Sequence, residues 1–384
     1  MYLATKASRS ASFSDTDISA LQGWSEEERR NVCLTFCIDS QNLTVALCPL
    51  RNTKKAIYLN SVRVNKAQDV KDNYEFLRNA FGRNNCTVVY STMSFAGPIS
   101  QDHVVITNWQ CDARDRVIHF TSLPFDLFPL DRRRFMNDLE AASYGLLAKD
   151  LRVNSLDTIF SPLWETPSSS KTITLRGSSC VILIGDGLGV SYINRHVSSE
   201  HNCVVSSEAG HAQCYISLPS SPKYAKECEL IRFVSHKLHG GSHQPEWEDM
   251  CSFRGGELIY QFVKPETAPI GYNQIRELAI GGDHAALKAF KIHYKFIMRA
   301  IQSMVLGVRC KKVFIISEAQ VKNSVLMKQF SDKLKRTFQD HPRSDWLKKV
   351  TIYGQVINSQ FGLSGGLFLS NIFADTIQKF SHTS

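Results

Sequence analysis

Several features are missing from this 384-residue sequence. Its eleven cysteines include no Cys-x-x-Cys and no Cys-x-Cys spacing, which disfavours a disulfide framework and a zinc ribbon and favours a reducing compartment. The longest apolar runs, such as Cys180–Ile184 and Val313–Ile316, are far too short to cross a bilayer. No repeat of fixed period occurs, which argues against solenoids and propellers. The sequence therefore predicts an intracellular protein that does not enter a membrane.

The two ends of the chain lack a clear targeting signal. No acidic residue precedes Asp15, and the first 14 residues are rich in serine and carry Lys6 and Arg9. This composition is typical of a mobile tail, which we predict over residues 1–25, and only weakly of an organellar transit peptide. The C-terminal Ser-His-Thr-Ser is not of the peroxisomal type. We therefore expect a cytoplasmic protein, with an organelle as the alternative.

The charge balance is mildly basic. Apolar residues make up 43% and charged residues 21%, as in ordinary globular proteins. The 45 basic and 36 acidic residues give a net charge of +9. That charge permits anionic partners, but it is less concentrated than in a dedicated nucleic-acid binder. The run Arg132-Arg133-Arg134 is the exception, and it is either a nucleic-acid contact or a solvated face.

Strands and helices alternate along the chain, which predicts an α/β protein with two lobes. Period-two patterns and short apolar runs predict strands at Asn31–Leu50 (a strand pair), Cys86–Met93, His103–Trp109, Leu156–Phe160, Cys180–Ile184 and Lys311–Ile316. Helical spacing of apolar residues predicts helices at Lys66–Phe81, Phe135–Ala148, Lys223–Leu238, Gly255–Phe262, Ala285–Leu306, Val325–Phe338 and Gly362–Lys379. The helix Val325–Phe338 carries a basic face with Lys333, Lys335 and Arg336.

Four clusters could carry chemistry. Asn137 and Asp138 lie near a predicted helix start, as a cap with a first-turn acid or as a positioned general base. The segment 185–189, Gly-Asp-Gly-Leu-Gly, follows a strand and is either a plain turn or a loop that cradles phosphate. Glu208 and His211 flank a glycine, in a surface turn or around a small polar ligand. Glu248 precedes a glycine-containing helix start, as an acidic cap or as a ligand.

In this order and at this spacing, the four clusters resemble the bacterial-type glucokinases, sugar kinases of the actin/hexokinase/Hsp70 superfamily. The similarity is greatest to the kinetoplastid branch and runs from about Asn31 to Leu369. It implies a two-lobed actin/hexokinase-like ATPase fold with mixed sheets, flanking helices and a central cleft. The expected division is a small lobe over 26–136 and a large lobe over 137–384, with the segment after 362 packing back toward the small lobe. A mitochondrion or a glycosome would be the organelle.

The resemblance implies a complete sugar site. Asp138 matches the family's catalytic base, which takes the proton from the 6-hydroxyl of glucose. The positions that match sugar ligands are Asn108, Asn137, Glu208, His211 and Glu248. Carboxylates suit this role because an ionised carboxylate accepts strong, charge-assisted hydrogen bonds from vicinal hydroxyls. We therefore expect glucose or a similar hexose as the ligand.

The nucleotide side departs from the family pattern. The first phosphate loop keeps Asp39, but its glycines and threonine are replaced by Gln41, Asn42 and Leu43. The second loop keeps Gly185, Gly187 and Gly189, but Asp186 replaces a threonine, and two like charges ~4 Å apart repel by roughly 4 kcal/mol at an effective dielectric constant of about 20. The adenosine motif is altered to Ile316-Ser317-Glu318-Ala319, and Phe253-Arg254 stand in the glycine-rich turn after Glu248.

Three functions therefore remain open. The first is a glucose-binding pseudokinase, or a very weak kinase, whose binding of Mg-ATP is weak. The second is an active glucokinase of glycolysis with an unusual nucleotide site, in which Arg254 compensates phosphate charge and Asp186 binds Mg²⁺. The third is a non-catalytic subunit of a ribonucleoprotein assembly. No other metal site is expected, and the resemblance implies a homodimer without indicating an interface.

Overall fold

Two six-stranded mixed sheets organise the protein, one in each of two units. The structure is a computed structural model. It describes residues 12–381 except 40, 98, 108, 152–154, 168–171, 196–201 and 267. The first unit joins Met1–Leu151 to Gln360–Ser384, and the second is the continuous segment Arg152–Ser359. Mixed sheets flanked by helices confirm the predicted α/β fold class.

The sheet of the first unit has the strand order β3-β2-β1-β5-β8, with β4 also paired to β2. β1 is antiparallel to β2 and parallel to β5, which is in turn parallel to β8. β6 and β7 form a separate two-stranded sheet. The bounds are β1 Val32–Asp39, β2 Asn42–Pro49, β3 Ile57–Tyr58, β4 Val62–Arg63, β5 Val88–Phe95, β6 His103–Val105, β7 Val117–His119 and β8 Arg133–Asn137.

Helices cover both faces of this sheet. They are α1 Asp15–Ile18, α2 Glu26–Arg30, α3 Ala67–Arg83, α4 Asp138–Asp150 and α12 Phe361–Ser381. Alternate residues of β1 serve opposite cores: Leu34 and Phe36 share a cluster with α3, whereas Cys33 and Cys37 share one with α12. This two-sided burial explains why seven consecutive residues of β1 are buried.

The structure corrects the predicted mobile tail of residues 1–25. Residues 1–11 lie outside the described part, but Phe13, Leu21 and Trp24 are buried in the core of the first unit. The backbone N–H of Phe13 donates a 3.2 Å hydrogen bond to Asn73 Oδ1 of α3. The segment is ordered because these apolar side chains have a core to enter, a fact that its serine-rich composition obscured.

The division between the units also differs from the predicted boundary after residue 136. Residues 133–137 are a strand because they pair with β5, so the predicted helix Phe135–Ala148 begins only at Asp138. That helix, α4, belongs to the first unit together with α12. The two helices approach so closely that a Cβ on Gly365 would lie 1.8 Å from the carbonyl oxygen of Ala141. The glycines of α12 permit this contact.

The sheet of the second unit has the order β12-β11-β10-β13-β14-β9. Its strands are β9 Phe160–Pro162, β10 Gly177–Ile184, β11 Leu188–Arg195, β12 Asn202–Ser207, β13 Lys312–Ile316 and β14 Thr351–Gln355. β9 begins at Phe160, so the predicted strand Leu156–Phe160 is placed too early.

The central helix of the second unit is α9, which packs against α6, α7, α8 and α10. The helices are α5 Tyr224–His239, α6 Trp247–Cys251, α7 Phe253–Val263, α8 Tyr272–Ile280, α9 His284–Val308, α10 Glu318–Gln339 and α11 Ser344–Leu347. Within the described ranges, every helix is too short or too polar to cross a bilayer.

Candidate active site

Asp138 lies at the carboxyl edge of the first sheet. β1, β5 and β8 are parallel neighbours, with Ile38 opposite Phe95 and Phe95 opposite Asn137. The carboxyl ends of these strands therefore lie at one edge, which brings Asp39, the last residue of β1, and Asp138, the first after β8, to the same side. This is the edge at which open α/β sheets bind ligands.

Asn137 and Asp138 begin helix α4. Asn137 is its N-cap, and Asn137 Oδ1 accepts a 2.9 Å hydrogen bond from the N–H of Leu139. Asp138 Oδ1 accepts from the same N–H at 2.8 Å. The cap fixes the helix start and, with it, the direction of the Asp138 side chain. Capping and a catalytic role are thus compatible, since one residue holds the other in place.

The pKa of the Asp138 carboxyl group lies well above its ordinary value. Burial raises its pKa to about 7, and the negative charge of Asp39 contributes to the increase, against the hydrogen bond from Leu139. Both carboxylates also act on the buried thiol of Cys37, whose pKa is about 12, chiefly through burial. A carboxylate with a pKa near the working pH is suited to general base catalysis.

The altered first phosphate loop is a tight connection between β1 and β2, in which Asp39 pairs with Asn42. Ser40 lies outside the described residues. Gln41 Oε1 accepts a 2.9 Å hydrogen bond from Arg63 Nη2, and its carbonyl accepts from the N–H of Val64. Side chains and a guanidinium therefore surround the position where the family has a glycine-rich loop.

In the second unit, a histidine is surrounded by carboxylates. His211 Nδ1 lies 2.7 Å from Glu246 Oε2, and His211 Nε2 lies 3.6 Å from Glu208 Oε2. The hydrogen bond to Glu246 raises the pKa of His211, and the charges of Glu248, Glu246 and Glu208 contribute, against a smaller effect of burial. The side chain of Glu208 is 87% exposed. These groups present acceptors and a ring N–H donor to one small region.

Glu248 contacts the second glycine loop. The loop turns between β10 and β11, with Ile184 opposite Leu188, and Gly185 N–H donates to the carbonyl of Gly187. Glu248 Oε2 accepts a 3.0 Å hydrogen bond from the N–H of Leu188. A Cβ on Gly187 would lie 2.7 Å from the same oxygen. The predicted sugar ligand and the predicted phosphate loop are therefore in direct contact.

Glu246 is not among the site residues that the sequence predicts. It is the N-cap of α6, and its backbone N–H donates a 3.1 Å hydrogen bond to Asp249 Oδ2. A capping residue before an acidic first turn was the available signal, but nothing in the linear sequence places it beside His211. The structure assigns Arg254 to buried Asp249 at 2.9 Å, and His239 contacts the same carboxylate. Arg254 therefore already has an anionic partner.

The altered adenosine motif is the start of α10. Ser317 Oγ accepts a 2.9 Å hydrogen bond from the N–H of Gln320, and Glu318 pairs with Lys322. Phe253 stacks on Tyr272 with ring centres 4.6 Å apart. Across the residues that the structure describes, no three His, Cys, Asp or Glu side chains converge as metal ligands. Asn108, predicted as a sugar ligand, lies outside those residues.

Comparison with known proteins decides the family. The family model described as "Glucokinase" matches residues 39–371. The chain belongs to the glucokinase family. It is 28% identical over 375 residues to Glucokinase 1 of Trichomonas vaginalis, covering 95% of this chain and 100% of that protein. The resemblance stated from the sequence motifs is therefore confirmed.

Solved structures of family members share the fold. Glucokinase from Balamuthia mandrillaris in complex with glucose is 24% identical, covers 93% of this chain and 99% of that one, and superposes with a TM-score of 0.85. Leishmania braziliensis glucokinase is 20% identical, covers 94% and 98%, and has a TM-score of 0.73. At these identities the likeness shows the fold alone.

Proposed function

We propose that this chain binds glucose and transfers a phosphoryl group to it slowly, because it binds Mg-ATP weakly. The observation that carries the proposal is Asp138, held by an N-cap at the carboxyl edge of the sheet with a pKa of about 7. Its carboxylate form would accept the proton of the attacking 6-hydroxyl. Glu140, two residues on, is engaged by Arg134 at 2.7 Å and is not an alternative base.

The cluster around His211 supports a hexose ligand. A sugar ring offers several vicinal hydroxyls, which pair well with ionised carboxylates and with the ring N–H of a histidine. Glu208, His211 and Glu248 supply such groups within the second unit. The structural relative from Balamuthia mandrillaris is described in complex with glucose, which favours the same ligand here. Asn108 and Asn137 complete the proposed ligand set.

The nucleotide groups fit ATP in part. The loop 185–189 offers backbone N–H groups, and Gly187 leaves no room for a side chain. However, Asp186 adds a negative charge, and Gln41 fills the other loop with its bond to Arg63. Mg²⁺ bound with ATP neutralises phosphate charge, and Asp39 and Asp186 are the carboxylates that could ligate it. Weak nucleotide binding with retained sugar binding follows from these differences.

Two measurements on the full chain test the proposal. Calorimetric titration with glucose should give a signal that Glu208→Ala abolishes. A coupled assay with glucose and Mg-ATP should show slow turnover that Asp138→Asn removes and that the matched control Glu140→Gln retains. Equal rates for wild type and Asp138→Asn would contradict the assignment of the base. Micromolar affinity for Mg-ATP would contradict weak nucleotide binding.

The second candidate is a glucose-binding pseudokinase, favoured by the substitutions in both phosphate loops. Glucose binding without any turnover, even at millimolar Mg-ATP, would select it. A ribonucleoprotein role has less support from the structure. Arg133 and Arg134 belong to strand β8, where Arg134 binds Glu140 and lies over the rings of Tyr144 and Phe373. Two residues of the arginine run are thus engaged within the fold.

A further inference from the structure

A basic depression lies between helices α9 and α10 of the second unit, and its charge has no role in the proposed function. The depression has a volume of about 280 Å³. It is lined by Lys291, Gln329, Phe330, Asp332, Lys333 and Arg336. Lys333 and Arg336 belong to the basic helix face that the sequence predicts. We call this surface the α9–α10 basin.

Three cations of the basin lack ionic partners within the part of the chain that the structure describes. Neither Lys291 nor Lys333 nor Arg336 forms an ion pair with a carboxylate of the described residues. Asp332 is the single acid in the lining, so the basin has an excess of two positive charges. Burial lowers the pKa of Lys333, and so do the positive charges of Lys291, Lys223 and Arg336. The cations therefore repel one another, and an anion placed among them would relieve that repulsion.

Helices α9 and α10 bring these side chains to one surface. The ammonium of Lys291 lies over the ring of Phe330, 5.1 Å from its centre. Lys333 and Arg336 are three residues apart on α10, so they project from the same helix face. Elsewhere on α9, Lys295 and Arg299 both pair with the buried acid Glu227, which therefore already has two cationic partners. The basin's own carboxylate, Asp332, forms no ion pair with the three cations among the described residues.

We propose that the α9–α10 basin binds a small anion that carries two or more phosphate groups. Arginine recognises phosphate through its planar fork, and lysines add point charges. Three cations match a multivalent anion better than a single carboxylate. The volume suits a small molecule rather than an extended chain. The single aromatic ring of the lining, Phe330, is only 4% exposed, so it offers no surface on which RNA bases could stack.

Titration of the full chain with inorganic pyrophosphate tests this site. Inorganic phosphate, which has a single phosphate group, is the comparison ligand. The double variant Lys291→Gln/Lys333→Gln should bind pyrophosphate at least tenfold more weakly than wild type. The matched control is Lys288→Gln/Lys328→Gln, which removes two exposed charges from the same two helices outside the basin. It should change the affinity less than twofold. Gly187→Ala, a change in the glycine loop 185–189 outside the basin lining, should leave pyrophosphate binding in place.

Several outcomes would overturn the proposal. Equal losses in the two double variants would mean diffuse charge attraction, and an unchanged affinity in the basin variant would mean a different site. Loss of pyrophosphate binding in Gly187→Ala would assign pyrophosphate to the nucleotide loops. If wild type does not bind pyrophosphate at millimolar concentration, the proposal is also refuted. It is refuted as well if a single-stranded RNA binds more tightly than pyrophosphate and both double variants weaken that binding. Thermal melting of each variant near the wild-type temperature separates lost binding from lost folding.

Discussion

The carboxylate of Glu248 accepts a hydrogen bond from the backbone N–H of Leu188 at 3.0 Å. Glu248 is a proposed sugar ligand, whereas Leu188 belongs to the loop proposed for phosphate. The bond holds the carboxylate against the turn between β10 and β11. A change in the loop should therefore alter the affinity for glucose.

Gly187→Ala should weaken glucose binding without unfolding the protein. Its Cβ would lie 2.7 Å from Glu248 Oε2, so the carboxylate must move and lose its bond to Leu188. We expect a loss on the order of tenfold in glucose affinity, or about 1.4 kcal/mol. Calorimetric titration measures it. Gly185→Ala is the control, because its Cβ would meet only Leu183 Cδ2 at 3.6 Å. Equal glucose affinities for the two variants would show that Glu248 has no part in sugar binding.

Glucose phosphorylation should increase with pH through a midpoint near 7. Burial and the charge of Asp39 raise the pKa of Asp138 to about 7, and only the deprotonated carboxylate can accept the proton of the 6-hydroxyl. The measurement is kcat/KM against pH, which reports groups of the free enzyme. His211→Gln serves as the control and should retain the rising limb. A rate that is flat between pH 5.5 and 8 would assign proton transfer to another group.

Asp138→Asn should stabilise the protein at alkaline pH. The native pKa of Asp138 is raised from 3.8 to about 7, so between these values the unfolded chain binds fewer protons and native stability falls as the pH rises. The cost is complete above pH 7 and absent below pH 3.8. The variant removes it and should gain on the order of 2 kcal/mol at pH 8.

Urea unfolding at pH 4.5 and pH 8 checks that gain, which should be much smaller at pH 4.5. Glu140→Gln is the comparison, because it removes the partner of Arg134 and should lower stability at pH 8. If Asp138→Asn destabilises the protein at pH 8, then the ionised carboxylate of Asp138 does not lower the stability of the folded state.

Gly365→Ala should destabilise the first unit. The added methyl would lie 1.8 Å from the Ala141 carbonyl oxygen and 2.5 Å from the Gly145 nitrogen, so α4 and α12 must separate. Overpacking of this kind costs about 1–3 kcal/mol. Gly82→Ala, in α3, has no atom within 4 Å of its Cβ and should instead stabilise by about 0.5–1 kcal/mol. Chemical denaturation of both variants measures the difference, and a neutral Gly365→Ala would exclude close helix packing.

The spacing of apolar residues predicts the helices and strands that depend on local sequence alone. The spacing of apolar residues indicates α9 and α3 to within a few residues, and the alternation in β1 indicates its strand. It fails at Phe135, because pairing with β5 outweighs helical spacing over Arg133–Asn137. It also fails at Phe13, whose burial depends on a helix 60 residues away.

The candidate site shows the same limit. Glu208 and His211 are close in sequence, and their proximity in the structure follows from one turn. Glu246 joins His211 across 35 residues, through the placement of α6, which no local pattern encodes. The contact between Glu248 and Leu188 spans 60 residues and depends on packing in the same way. Motifs therefore indicate which residue types are present, whereas the fold decides which of them meet.

The position of α12 in the first unit sets an order of events during synthesis. Strand β1 leaves the ribosome before the second unit, whereas the helix that covers Cys33, Cys37 and Tyr90 is translated only after it. The second unit is continuous and can fold in the meantime. At a translation rate of ~5–20 residues per second, one apolar face of the first sheet stays uncovered for roughly tens of seconds before α12 is made. Chaperones that shield nascent chains should therefore bind the first sheet until α12 has left the ribosome.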